Sequence, residues 1–158
     1  MGWVDTVIGM RSLSNKAIDA LALKIVAATS TEDLGDIARI GHRDSVNKQV
    51  ISAGIYLEKE DIQKNLARKL VVLTTLYQLT KRCVEREKDD HSKGWNFETF
   101  IVEEAGFVQD ANIREGLAAC EGTVRKLVLV GDQKQLQPIV KHEVLKVQGY
   151  GRSCLEVR

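Results

Sequence analysis

The sequence predicts an α/β fold, a parallel sheet with helices on both faces. Two patterns predict it: short β-branched apolar runs, and segments of helical periodicity between them. The runs are Thr6 to Met10, Leu70 to Thr75 and Lys126 to Val130, with a fourth from Phe97 to Val102 that leads into two acids. Continuous apolar runs of this length suit strands buried on both sides. Between them, Ile18, Leu21, Ala22 and Ile25 share one helical face behind a cap at Ser14 or Asn15. Residues 44–69 read as helical, in two pieces, with Val46, Val50 and Ala53 on one face and Ile62 and Leu66 on another. Asp110 opens a further short helix carrying Ile113 and Leu117.

At 158 residues and 44% hydrophobic content the chain is sized for one domain with a sizeable core. Lys and Arg number 23 against 22 Asp and Glu, so any nucleic-acid contact must come from local patches. Cys83, Cys120 and Cys154 lack the paired spacing of zinc sites or disulfide frameworks, which favours an intracellular, reducing compartment. No run approaches the roughly 18 apolar residues of a membrane span, and no membrane partner is expected. The mixed charges of residues 81–94 read as an exposed helix end and loop. His42, His91 and His142 are scattered and propose no metal site. Arg39, His42, Arg43 and Lys48 form a modest basic cluster diluted by Asp36 and Asp44, best read as a solvated face. Trp95 and Phe97 read as anchors at the start of a strand.

Chemistry concentrates where strands end. Phe100 to Val102 delivers Glu103 and Glu104 at a strand's carboxyl end, where ligands of open α/β sheets gather. One acid there can hold magnesium while its neighbour accepts a proton from a water attacking a terminal phosphate. Leu127 to Val130 is followed by Gly131, Asp132 and Gln135. Gly131 permits a tight exit, Asp132 accepts hydrogen bonds, and Gln135 can donate its amide to a phosphate oxygen or water. A crossover through the Asp110 helix would bring both tips to one edge. A solvated strand end and a turn without a catalytic role are the alternatives for these two segments.

These residues carry a family resemblance. Glu103-Glu104-Ala105 resembles the DEA of helicase motif II, and the run from Gly131 to Pro138 resembles motif III, GDxxQLxP. Upstream, Leu13 to Asp19 is similar to motif Ia, PSNxAxD, and Val72 to Thr75 resembles motif Ib. Tyr150 to Glu156 is similar to the GxxRSLFE segment that follows motif III. The family is the superfamily 1 helicases, in the branch of the nonsense-mediated-decay helicase, senataxin and the NFX1-type zinc-finger helicases.

The resemblance implies a partial RecA-like domain of the P-loop NTPase type over residues 1–158, lacking the P-loop strand and helix. It implies ATP and magnesium as cofactors of a complete motor, and RNA or DNA as the strand moved along, RNA being preferred. It makes Glu103 the magnesium-associated acid, Glu104 the catalytic base, and Gln135 the sensor of the terminal phosphate, beside Asp132. Ser14, Asn15 and Thr75 become positions that contact the nucleic-acid backbone. The match departs in three places: Glu103 stands for the usual Asp, Phe107 for a common Gln, and no glycine is followed by lysine, so GxxxxGK[ST] is absent. The expectation is therefore a piece of a helicase motor, inactive alone, whose remaining domains lie in a longer polypeptide. The alternative is a non-catalytic nucleic-acid or protein interaction module derived from the same fold.

Overall fold

The computed structural model describes residues 7–11, 14–86, 97–118, 120, 124–132, 134 and 137–156. Five strands form one sheet: β1 (Val7–Arg11), β2 (Ile37–Arg39), β3 (Val71–Thr75), β4 (Thr99–Glu103) and β5 (Lys126–Val130). Their order is β2-β3-β1-β4-β5, and every pairing is parallel. The register aligns the carboxyl ends: Arg11 pairs with Thr75, Met10 with Val102, and Glu103 with Val130. The expected strands thus form within one or two residues of their predicted limits.

Helices cover both faces, as near-continuous apolar strands require. Helix α1 (Asn15–Ala28) follows β1. Ile18 and Ala22 on it are fully buried, packed with Ile37, Leu73, Val46, Val50 and Ile55. On the opposite face, Ala38, Val72, Phe100 and Val102 pack with Leu76 and Leu79 of α4 (Leu76–Arg86) and Ile113 of α5 (Asp110–Ala118). Alternation along β2 and β3 sends neighbouring residues into the two clusters, the period of two that a pleated strand imposes.

The stretch over 44–69 is helical in two pieces, as expected. It holds α2 (Lys48–Ser52) and α3 (Lys59–Asn65), with Ala53 to Glu58 between them. Tyr56 in that interval bridges to Arg39, and Arg39 N–H donates to the Ile55 carbonyl at 2.7 Å. Extended pairing replaces helix there. The two predicted faces survive the break, because Val46 and Val50 enter the α1 cluster while Ile62 and Leu66 join the other.

Two further expectations concern local segments. Phe97 is buried, in keeping with an anchor at the start of a strand. Helix α4 runs to Arg86, while 87–94 and Trp95 lie outside the described residues. After β5 the described chain contains one short helix, α6 (Glu143–Val147), whose residues are exposed.

The basic cluster requires correction. Arg39 is wholly buried on β2 and faces α1, so it belongs to no solvated face. His42, Arg43 and Lys48 do lie at the surface. Arg43 pairs with Glu58 and sits 5.9 Å over the Tyr56 ring, and His42 lies 3.7 Å from Asp44. Local partners offset most of that charge.

Candidate functional site

Because all five strands are parallel, their carboxyl ends share one edge. Reading along it in sheet order, β3 ends at Thr75, β1 runs out towards Ser14 and Asn15, β4 ends at Glu103 with Glu104 next, and β5 gives way to Gly131 and Asp132. Residues far apart in sequence are thereby brought to one margin of the sheet. Gln135 lies outside the described residues.

At the β4–β5 end, the Glu103 carboxylate is partly buried, and its Oε2 is enclosed without a hydrogen-bond partner among the described residues. An enclosed carboxylate oxygen left unmatched is costly, and a cation is its natural complement. Glu103 could supply one ligand to such a cation, and among the described residues no group of three or more His, Cys, Asp or Glu gathers to complete a metal site. The next residue, Glu104, has φ 56° and ψ 39°. This left-handed conformation is uncommon for a residue with a β-carbon and stores on the order of 1–3 kcal/mol. It turns the chain sharply out of β4, and the Phe107 N–H closes the turn on the Glu104 carbonyl at 2.9 Å.

Gly131 fits against that turn. A β-carbon placed there would lie 2.9 Å from both the Ala105 and the Gly106 nitrogen, and 3.3 Å from the Glu104 carbonyl carbon. Only glycine allows the exit of β5 to press so closely on the exit of β4. Asp132 then accepts the Lys134 N–H on Oδ1 at 2.8 Å, the local bond by which aspartate sets a turn. The segment resembling GxxRSLFE packs back on the same region. Ser153 bridges to Gln109, the Asp110 N–H donates to the Arg152 carbonyl, and Glu156 accepts from Gln137 Nε2 and from the Ser153 N–H.

At the β1–β3 end, Ser14 is the N-cap of α1 and exposed, with extended backbone at φ −150° and ψ 130°. Its hydroxyl makes no capping bond. Asn15 is half-buried and its Oδ1 accepts from Arg39 Nη2 at 3.0 Å. Arg39 Nε donates to Asp19 Oδ1 at 2.7 Å, and Asp19 Oδ2 accepts the Asn47 N–H at 2.8 Å. Burial pushes the Arg39 guanidinium below its usual range, and the hydrogen bond and charge of Asp19 oppose that shift. Thr75 is buried, and its Oγ1 accepts the Gln78 N–H at 3.3 Å, so its hydroxyl caps the first turn of α4. The neighbouring Thr74 hydroxyl is fully buried with no partner among the described residues.

Sequence reasoning passed over Asp19 and Arg39. The signal was present in the patterns themselves. Asp19 follows Asn15 by four residues and lies beside Ile18 and Ala22 on the buried face, while Arg39 interrupts the apolar run Ile37-Ala38-Ile40. A lone acid in one apolar pattern and a lone base in another satisfy each other only by pairing.

Comparison with known proteins adds two findings. A family model described as an AAA domain matches residues 47–143, which include Thr75, Glu103, Glu104, Asp132 and Gln135. The 3'-5' exoribonuclease HELZ2 of Mus musculus is 39% identical over 61 residues, a match covering 39% of this chain and 2% of that protein. The chain thus corresponds to a small part of that relative. With more than half of its length matched by the family model, and with the helicase-like motifs ordered along one sheet edge, the chain belongs to the AAA-domain family of superfamily 1 helicases.

Proposed function

We propose that this chain is part of the first RecA-like domain of an ATP-dependent nucleic-acid helicase motor. The observation that carries this reading is the order of the carboxyl edge. Glu103, Glu104 and Asp132 lie at or just beyond the ends of the neighbouring strands β4 and β5, and Ser14 and Asn15 lie at the start of α1, which follows the adjacent β1; this order supports a nucleotide role for the first group and a backbone-contact role for the second. The family implies nucleotide and magnesium for the full protein, and bound magnesium nucleotide supplies the phosphate whose hydrolysis drives movement. Glu103 would hold the cation through its unmatched carboxylate oxygen. Glu104 would take the proton from the attacking water, and Gln135 would sense the terminal phosphate. Ser14 and Asn15 donate to backbone phosphates, which are held without reading base sequence. RNA is the preferred strand, the compartment is intracellular, and the rest of the motor lies in a longer polypeptide.

Thr75 is the weakest member of that set, since its hydroxyl already caps α4. Binding of single-stranded RNA by the 158 residues is expected to be weak and to fall steeply with salt. Fluorescence anisotropy should show a clear loss of affinity in the Ser14→Ala, Asn15→Ala, Thr75→Ala variant. An unchanged affinity would refute the backbone-contact assignment.

The second reading, a non-catalytic nucleic-acid or protein interaction module, is favoured by the sequence in one respect: no glycine in these 158 residues precedes lysine. Backbone amides and a lysine of that loop are what cradle and neutralise phosphates, which carboxylates repel. ATP turnover by the 158 residues is accordingly expected at background, with or without single-stranded RNA. Turnover above background that disappears in Glu104→Gln would contradict this expectation.

A further inference from the structure

We propose that Arg39 is a positioning residue for nucleic-acid binding, holding Asn15 with its carbonyl oxygen turned inward so that the amide N–H groups are left for a phosphate. The inference rests on the reading that Asn15 meets the nucleic-acid backbone. It adds what fixes the polarity of that contact.

The geometry begins with a guanidinium that is 0% exposed. Its three nitrogens are all committed: Nε to Asp19 Oδ1 at 2.7 Å, Nη1 to the Ile40 carbonyl, and Nη2 to Asn15 Oδ1 at 3.0 Å. Arginine only donates, so the atom that Asn15 presents to it must be oxygen. Both N–H donors of Asn15 are then left over, and no described residue accepts from them. The bonds of Asp19 run elsewhere: its Oδ1 accepts from Arg39 Nε and its Oδ2 from the Asn47 N–H.

An asparagine amide is nearly symmetric in shape and opposite in polarity at its two ends. Without Arg39, the nearby Asp19 carboxylate would draw the N–H groups inward, and the carbonyl oxygen would face the phosphate, which repels it. Arg39 thus decides whether Asn15 offers donors or an acceptor. The space for the guanidinium depends on Gly41, where a β-carbon would lie 2.9 Å from Nη1 and 3.2 Å from Val46 Cγ2. Asp19 also anchors the start of α2 to α1 by accepting the Asn47 N–H.

A double-mutant cycle separates this role from simple support of the fold. Affinity for a fluorescein-labelled single-stranded oligouridylate is measured per folded molecule for the 158-residue chain, Asn15→Ala, Arg39→Gln and the double variant. Asn15→Ala is expected to weaken binding about tenfold, Arg39→Gln by a similar factor, and the double variant no further than either single change. Wild-type affinity in Arg39→Gln, or losses that multiply in the double variant, would overturn the positioning role while leaving Asn15 as a contact. Wild-type affinity in Asn15→Ala would overturn both the proposal and the reading beneath it. Should Arg39→Gln fail to fold, Gly41→Ala displaces the guanidinium while retaining its charge. It is expected to weaken binding when Asn15 is present and to have no effect in the Asn15→Ala background, and any other pattern would overturn the proposal.

Discussion

At the β1–β3 end of the carboxyl edge a buried charge is met by its partners, whereas at the β4–β5 end a buried carboxylate oxygen is not. Arg39 is bound by Asp19, Asn15 and the Ile40 carbonyl, all from within the chain. Glu103 Oε2 finds no partner among the described residues, Glu104 is held in a left-handed conformation, and Leu127 and Val130 of β5 are 41% and 49% exposed. One end is preorganised by internal contacts. The other stores strain and unsatisfied capacity, as expected where an external group completes a site.

Substitutions can break this contrast, starting with the largest effect. Asp19→Ala strips Arg39 of its counter-charge and the Asn47 N–H of its acceptor. Leaving a buried charge uncompensated should cost about 3–5 kcal/mol in chemical denaturation, and a loss below about 1 kcal/mol would show that the pair is not the internal support described. Gly131→Ala drives a methyl against the Ala105 and Gly106 nitrogens and should cost about 1–3 kcal/mol by overpacking. An unchanged denaturation midpoint would mean that β5 exits more loosely than the close approach indicates.

Smaller changes sharpen the comparison. Glu104→Gly removes the left-handed penalty at some cost in chain entropy, and should raise stability by roughly 0.5 kcal/mol even as it deletes the candidate base. Destabilisation instead would argue against strain at that turn. Arg114→Ala deletes an exposed ion pair with Asp110 on α5 and should leave the thermal midpoint unchanged, because surface pairs of this kind contribute little.

Most of the sheet was legible in the sequence because its strands are uninterrupted apolar runs. β5 matches its predicted limits, and β1, β3 and β4 begin one or two residues late. β2 was not legible: it is three residues long and ends in a charged side chain, which reads as surface until its partner is known. The two helical pieces of 44–69 were legible, but what separates α2 from α3 was hidden for a related reason. Tyr56 pairs with Arg39 across a long stretch of chain, and no local periodicity encodes that bridge. At the site, Glu103, Glu104 and Asp132 were found as polar residues following apolar runs. Their common edge was expected from a crossover and appears in the parallel register. The Thr75 cap and the Arg39–Asp19–Asn15 contacts depend on which side chains meet after folding, and single-residue patterns do not carry that information.

The division of the carboxyl edge is tested most directly by following backbone amide resonances of the 158-residue chain through two titrations, first single-stranded RNA and then paramagnetic manganese in place of magnesium. RNA should shift amides at residues 14–19, and manganese should broaden those at 103–107 and 131–132. RNA shifts confined to the β4–β5 end, or manganese broadening at Ser14 and Asn15, would contradict the account.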